Sequence, residues 1–463
     1  MRKLVPLLVG IALPSLLRAQ HTDQDPPHAD TLRRGAALHE VIKKGTLEGR
    51  FRLFVMGTVN DGLPTDHHAQ AFGGSLGFAS QRWHGLQFRM SGGYTFDLWS
   101  SDLTTPDPIT GLSNRYEIGL FDATDPRKDN QLAYLQLFQL NYRSRDERTA
   151  VTFGRQELNT PFINAQDGRM HPTLAEGFWL IRRNKQVRLE AGFLYGISPR
   201  STAGWYVAER SIGLYPTGTD VFGKPSRYAG RTTSAGIAML GAQWRTSPKI
   251  TITGWDMLTT NVSNTAMLQV ERGTRDDRWM AGAMVIRQDR LGTGGNTNDS
   301  LAYFQSDAAL VLSGRVRMNL GRFRWQGNYT RITADGRYLM PREWGREPFY
   351  TFLPRERNEG AGDVHAATVN LVWRTKSGFR VQADAGRYWL PSVSNARLNK
   401  YAMPSYYQFG INAQYQFKGN WQGLAVQVLQ LVKLVAPEAE HTTKQAYNKV
   451  DLYHGELIVS YAF

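Results

Sequence analysis

The feature that most constrains this chain is a two-residue alternation of apolar and polar side chains from about residue 47 to the end. Side chains on a strand point alternately to opposite faces, so the pattern builds sheets with one apolar and one polar face. Near Glu48–Gly57, Phe51, Leu53 and Val55 face one way and Arg50 and Arg52 the other. From Leu86 to Phe96 the split sets Leu86, Phe88, Met90, Tyr94 and Phe96 against Gln87, Arg89, Ser91, Thr95 and Asp97. Near Tyr407–Phe417, Tyr407, Phe409, Ile411, Tyr415 and Phe417 oppose Gln408, Asn412, Gln414 and Gln416. Helical periodicity is scarce, and no segment is apolar for the roughly 20 residues of a helical membrane span. Apolar-out and polar-in is how a strand reads between lipid and water, so the expected class is all-β, a transmembrane antiparallel β-barrel.

Connection lengths supply the strand count. Short turns fall near Ala79–His84, Ser144–Arg148, Arg183–Gln186, Thr246–Lys249, Gly273–Asp277, Asn319–Gly321, Arg374–Gly378 and Lys418–Gln422. Between them lie mostly longer connections, near Leu98–Asn130, Gly154–Glu176, Ile197–Gly230, Thr333–Asp363, Tyr388–Ser405 and Ala436–Val450. Short turns on one side and long loops on the other are the asymmetry of outer-membrane barrels. Eight short turns with both chain ends on one side imply about 18 strands and nine outer loops. The His67-His68 pair is expected in an outer-loop turn, and GTGG at Gly292–Gly295 in a flexible loop tip.

The two ends agree with export and insertion. Arg2 and Lys3, the apolar Leu4–Leu17 and small Ala19 read as a cleavable signal peptide, with Gln20 or His21 first in the mature chain. At the other end Tyr453, Leu457, Val459, Tyr461 and Phe463 share one parity. A terminal Phe on such a strand resembles the signal read by the bacterial barrel-insertion machinery. The expected organisation is a signal peptide over residues 1–19, a periplasmic lead-in over 20–46 with a short helix near Ala36–Lys44, and a barrel over 47–463. With no cysteine, the chain has no disulfide framework, thiol catalysis or cysteine-ligated metal.

Lys and Arg number 55 against 40 Asp and Glu. In a water-soluble protein that excess would suggest nucleic acid. In a barrel the question is which cations face the lumen, and no nucleic-acid partner is expected. Parity turns Arg50, Arg52, Arg89, Arg188, Arg315, Arg317, Arg322, Arg324 and Arg380 inward. Arg on the lipid face would cost roughly 2–4 kcal/mol at the bilayer midplane. Such guanidinium groups attract carboxylates bidentately. The alternative is that they pair with lumen acids such as Asp97, Glu190, Asp384 and Glu456.

The most distinctive segment is Gly154–Phe178, GRQELNTPFINAQDGRMHPTLAEGF. Its pattern GRQ…L.TP.IN..D.RM.P…EG resembles the third loop of OprD-like outer-membrane porins. AFGGSLGF at Ala71–Phe78, AYLQL at Ala133–Leu137 and the terminal Tyr461-Ala-Phe463 add to the resemblance, and Tyr338–Asp363 is similar to a second pore-lining loop. The resemblance implies an eighteen-stranded monomeric barrel with an inward-folded third loop and a ladder of basic residues guiding carboxylate-bearing nutrients. Motif matching makes Arg155, Asp167 and Arg169 candidates for the constriction; pinning the loop to the wall is the other role for Asp167 and Arg169. The last three strands depart from the family, offering mainly Gln408, Asn412, Gln414, Gln416, Gln427 and Lys433. Arg342, Arg346, Arg355 and Arg357 of the seventh loop would substitute if that loop folds inward; a solvated external charge run is the simpler reading.

No catalytic, metal or cofactor motif appears: no HExxH, Walker A, dinucleotide loop or EF-hand spacing. The function expected is diffusion of small anionic or zwitterionic solutes across an outer membrane. The rivals are a barrel hydrolase and a surface adhesion barrel.

Overall fold

The computed structural model describes residues 38–126, 130–166 and 168–463. The expected signal peptide lies outside them, as does Asp167. Helix α1 (Leu38–Lys43) falls inside the helix expected in the lead-in.

Nineteen strands follow in one sheet. They are β1 (Thr46–Asn60), β2 (His67–Ala79), β3 (Leu86–Ser100), β4 (Gln131–Arg143), β5 (Thr149–Gln156), β6 (Leu174–Arg183) and β7 (Val187–Ser198). Next come β8 (Tyr206–Val207), β9 (Ile237–Ser247), β10 (Ile250–Thr259), β11 (Ser263–Gly273), β12 (Trp279–Arg290) and β13 (Ala308–Leu320). The last are β14 (Phe323–Ile332), β15 (Val364–Arg374), β16 (Arg380–Trp389), β17 (Tyr406–Gln416), β18 (Leu424–Val435) and β19 (Leu452–Ala462). β8 pairs only with Gly196 and Ile197 at the end of β7, which otherwise pairs with β9. The remaining eighteen strands form the wall, the number that the turn count implies. β19 pairs antiparallel with β1 from Arg50↔Ala462 to Asn60↔Leu452, so the sheet closes and leaves no edge.

The eight turns expected from the sequence lie at one rim, at 80–85, 144–148, 184–186, 248–249, 274–278, 321–322, 375–379 and 417–423. The other rim carries long loops, among them the second (101–130), third (157–173), fourth (199–236) and seventh (333–363). Two loops at that rim are short, 61–66 and 260–262. His67 and His68 are not in a turn: they open β2, and His67 is buried against the Tyr447 hydroxyl at 2.9 Å.

The outward face exposes Phe51, Phe138, Phe153, Leu312, Val316, Phe323, Ile411, Tyr453 and Tyr461, an apolar surface far larger than water-soluble domains carry. The inward face holds most of the polar wall residues, such as Thr95, Gln139, Thr265, Asn328 and Thr368. Two buried apolar clusters join loops to inward-facing wall residues. In one, Tyr116, Ile118, Leu120 and Phe121 of the second loop and Met170 of the third pack with Phe54, Met56, Leu429 and Ile458 of the wall. In the other, Leu158, Phe162 and Ile163 of the third loop share a core with Trp344, Phe349 and Leu353 of the seventh and with Trp255, Met257 and Met284.

Candidate functional site

The third loop leaves the wall through a pair of glycines. Gly154 and Gly177, the first and last positions of the GRQ…EG pattern, face each other across β5 and β6. Gly154 has φ +109°, and a Cβ there would lie 2.3 Å from the Phe138 carbonyl oxygen. Only glycine accepts that conformation and that approach. Beyond it, Asn164 bonds the seventh loop three ways. Its amide N–H donates to the Trp344 carbonyl (3.0 Å), its Nδ2 to the Arg346 carbonyl (3.0 Å), and its Oδ1 accepts from the Arg346 N–H (3.1 Å). Gln166 Oε1 accepts from Arg200 of the fourth loop (2.6 Å) and from Arg357 (2.7 Å).

Of the three constriction candidates, Arg169 is buried. Its carbonyl accepts from Arg52 Nη1 of β1 at 2.5 Å, and its own Nη1 donates to the Gly168 carbonyl at 2.8 Å. Arg155 is a correction. It shares the outward parity of Phe153, pairs with Glu176 at 3.4 Å and lies over the Trp205 ring at 4.2 Å. The glycine at 154 is not what flips it; the residue simply continues the outward set, so motif matching without parity misplaced it.

Arg50, Arg52, Arg89, Arg315, Arg317, Arg324 and Arg380 all keep the polar, inward parity. Arg322 does not: it is exposed in the two-residue turn 321–322, outside both strands, where parity no longer governs direction. The expected pairing with acids is partial. Arg89 meets Glu48 at 2.6 Å, Arg188 meets Glu190 at 2.8 Å, and Arg315 pairs with Glu271. Arg317, Arg324 and Arg380 have no ion pair among the described residues, and neither does Arg374, a neighbour at the same rim that turn-reading hid. These four sit on adjacent strands β13 to β16, with Arg374 directly opposite Arg380.

The seventh-loop arginines are not an external charge run. Arg342 pairs with Glu359 at 2.7 Å, Arg357 with Glu347 at 3.2 Å, and Arg355 with Glu456 of β19, all with largely buried side chains; only Arg346 is exposed. They join Lys433, paired with Glu356 at 3.0 Å, around a pocket whose lining includes Arg115, Lys449, Glu356 and Glu359. The lining thus carries six cations and two carboxylates, and four of the six are paired, Arg355 and Arg357 with acids outside the lining. Arg115, Lys400 and Lys449 were missed by sequence reading because they sit in loops without alternation. Burial pushes the Lys449 ammonium down to about 8, helped by Arg115 and Arg342 nearby. Burial also pushes Lys400 down to about 8, against the attraction of Glu359. Burial opposes ionisation of Glu359, yet Lys400 and Arg342 hold its carboxyl below its ordinary value.

A closed eighteen-stranded sheet with an apolar outward face, a polar inward face and long loops at one rim defines an outer-membrane β-barrel channel. Part of the chain itself resembles a known family. Residues 110–284 match the family described as "outer membrane porin, OprD family". The chain's fold is similar to that of OccK9 (OpdG) of Pseudomonas aeruginosa (TM-score 0.70, 15% identity, covering 91% of this chain and 99% of that one). It is also similar to OpdK of Pseudomonas aeruginosa, solved with vanillate (TM-score 0.67, 14% identity, 91% and 99% covered). OccAB4 of Acinetobacter baumannii is another likeness (TM-score 0.65, 14% identity, 90% and 98% covered). At such identities these are likenesses of fold. No curated protein matches the chain.

Proposed function

We propose that the channel passes small carboxylate-bearing solutes through an arginine-lined lumen narrowed by the third and seventh loops. The observation that carries this reading is the group Arg317, Arg324, Arg374 and Arg380, four inward guanidiniums at the turn rim with no ion pair among the described residues. A like-charged group on one wall, in the reduced dielectric of a pore, favours anions over cations. The six-cation pocket among the loops supplies a second basic station, nearer the loop rim. The third loop's share is its bonds to Arg52 of the wall and to the seventh loop, which hold both loops together inside the same buried core. That a fold relative was solved with vanillate, an aromatic carboxylate, fits the same solute class.

The test is a reversal-potential measurement in planar bilayers under a KCl gradient, paired with liposome swelling in benzoate and in its neutral amide. Anion preference and faster benzoate uptake are expected. Changing Arg317, Arg324, Arg374 and Arg380 to Gln together should move the reversal potential toward zero while leaving a conducting pore. A cation-selective parent, or a quadruple variant with unchanged selectivity, refutes the basic lumen; absence of conductance refutes the channel.

A further inference from the structure

The outward wall of the barrel carries a groove of about 900 Å³ spanning β12 to β17. Strand register builds its floor. Gly327 and Ala385 flank Val369 in one cross-strand row, and Gly314 and Ala367 flank Tyr329 in the next row toward the loop rim. Gly314 leaves real space: a Cβ there would have nothing closer than the Gly282 carbonyl oxygen at 3.9 Å. Aromatic side chains on the same face, Trp325 and Phe409 among them, line it as well, and the Trp325 ring lies over Gly327.

Small residues alone would be no more than a dent in a lipid-facing surface. The groove also holds Arg387, which is paired in register with Ala367 and Tyr407 and is only 9% exposed. It is an outward-parity arginine, two residues before the end of β16 at the loop rim. Its guanidinium lies between the rings of Trp389 (5.0 Å) and Tyr407 (4.4 Å). Nη2 pairs with Glu438 of the last outer loop, whose side chain is 61% exposed. Nε and Nη1 are buried with no hydrogen-bond partner among the described residues. A buried cation with donors that lack an acceptor, at the headgroup level of a lipid-facing wall, is complementary to an anionic headgroup.

We propose that this groove binds a phosphate-bearing lipid of the outer leaflet, one acyl chain lying over Gly314, Ala367 and Ala385 and the phosphate on Nη1 of Arg387. Binding turns one of the two covering rings aside. A second copy of the barrel fits less well, because a convex wall does not reach a recessed floor of glycine and alanine. Glu438 is the competing anion, so it sets the sign of a further test.

The experiment is native mass spectrometry of the detergent-purified full chain titrated with diphosphoryl lipid A and with its dephosphorylated form. One lipid per barrel is expected, with the phosphorylated form held about tenfold more tightly. Arg387→Gln should erase that phosphate preference, Gly314→Leu should weaken both lipids by filling the floor, and Glu438→Gln should strengthen the phosphorylated one severalfold. Unchanged conductance of the variants in bilayers reports that they are folded. No retained lipid, equal affinity for both forms, or an affinity indifferent to Arg387→Gln overturns the proposal. So does a dimer or trimer of the parent that Gly314→Leu dissociates, since the groove would then be an interface between copies.

Discussion

Glu456→Gln tests whether a single buried ion pair anchors the seventh loop. Glu456 projects inward from β19, meets the Arg355 guanidinium, and takes a second contact from His454 Nε2 at 2.9 Å. The two side chains are 12% and 3% exposed, so water screens the pair poorly. Arg355 Nη2 also reaches the Gly168 carbonyl of the third loop at 3.4 Å, which places one arginine between wall and both loops. Removing one partner of a buried pair costs about 3–5 kcal/mol, because it leaves a charge uncompensated. Glutamine keeps the shape and one acceptor oxygen, so the expected loss falls just below that range, about 2–3 kcal/mol. That loss falls on docking of the loop and not on the barrel, whose wall is held by continuous backbone ladders. By the rule of tenfold per 1.4 kcal/mol, undocked loop rises about 30- to 150-fold. Single-channel recordings should then show added fast flicker and a larger mean conductance, with the heat-induced unfolding of the barrel unmoved. Adding Arg355→Met should quieten the flicker partly, since no charge is left unpaired. A Glu456→Gln channel as quiet as the parent refutes the anchoring argument, and so does a variant whose barrel unfolds early.

Three further outcomes follow from the same structure. Lys449 and Lys400 both titrate at about 8, charged below that pH and neutral above it, so anion selectivity should fall between pH 7 and pH 9; a Lys449→Met channel that falls equally would remove Lys449 as a cause. Gly154→Ala forces an L side chain into φ +109° against a carbonyl, a strain of about 1–3 kcal/mol, and urea titration of the folded barrel should register it; a neutral result would contradict the required glycine. Phe463 exchanges backbone hydrogen bonds with Gly49 at 3.0 Å each way and stacks on Phe51 at a ring separation of 6.0 Å. We expect its deletion to lower outer-membrane assembly several-fold, read by heat-modifiable gel mobility; full assembly would count against its use as the insertion signal.

Alternation alone carried the wall. The face assignments of Phe51, Leu53 and Val55 against Arg50 and Arg52, and of Val316, Met318 and Leu320 against Arg315 and Arg317, hold in the structure, because a strand's period of two leaves no freedom once one face meets lipid. The eighteen-strand count followed from turn spacing for the same local reason. Local rules stop where strands end. Arg322 left its parity in a two-residue turn, His67 and His68 opened a strand instead of a turn, and Arg155 followed the strand although a motif suggested the pore.

What only the tertiary structure decided is where the loops go and whom their charges meet. Arg355 finds Glu456 across 101 residues, and Gln166 finds Arg357 across 191. No periodicity links such positions, so an arginine run such as Arg342 to Arg357 reads from sequence as solvated surface. In the folded chain the closed wall brings it against buried carboxylates. The alternation by itself determined a closed barrel wall with one apolar and one polar face; the packing of the loops decided which cations meet a carboxylate, because no local rule links residues so far apart in the chain.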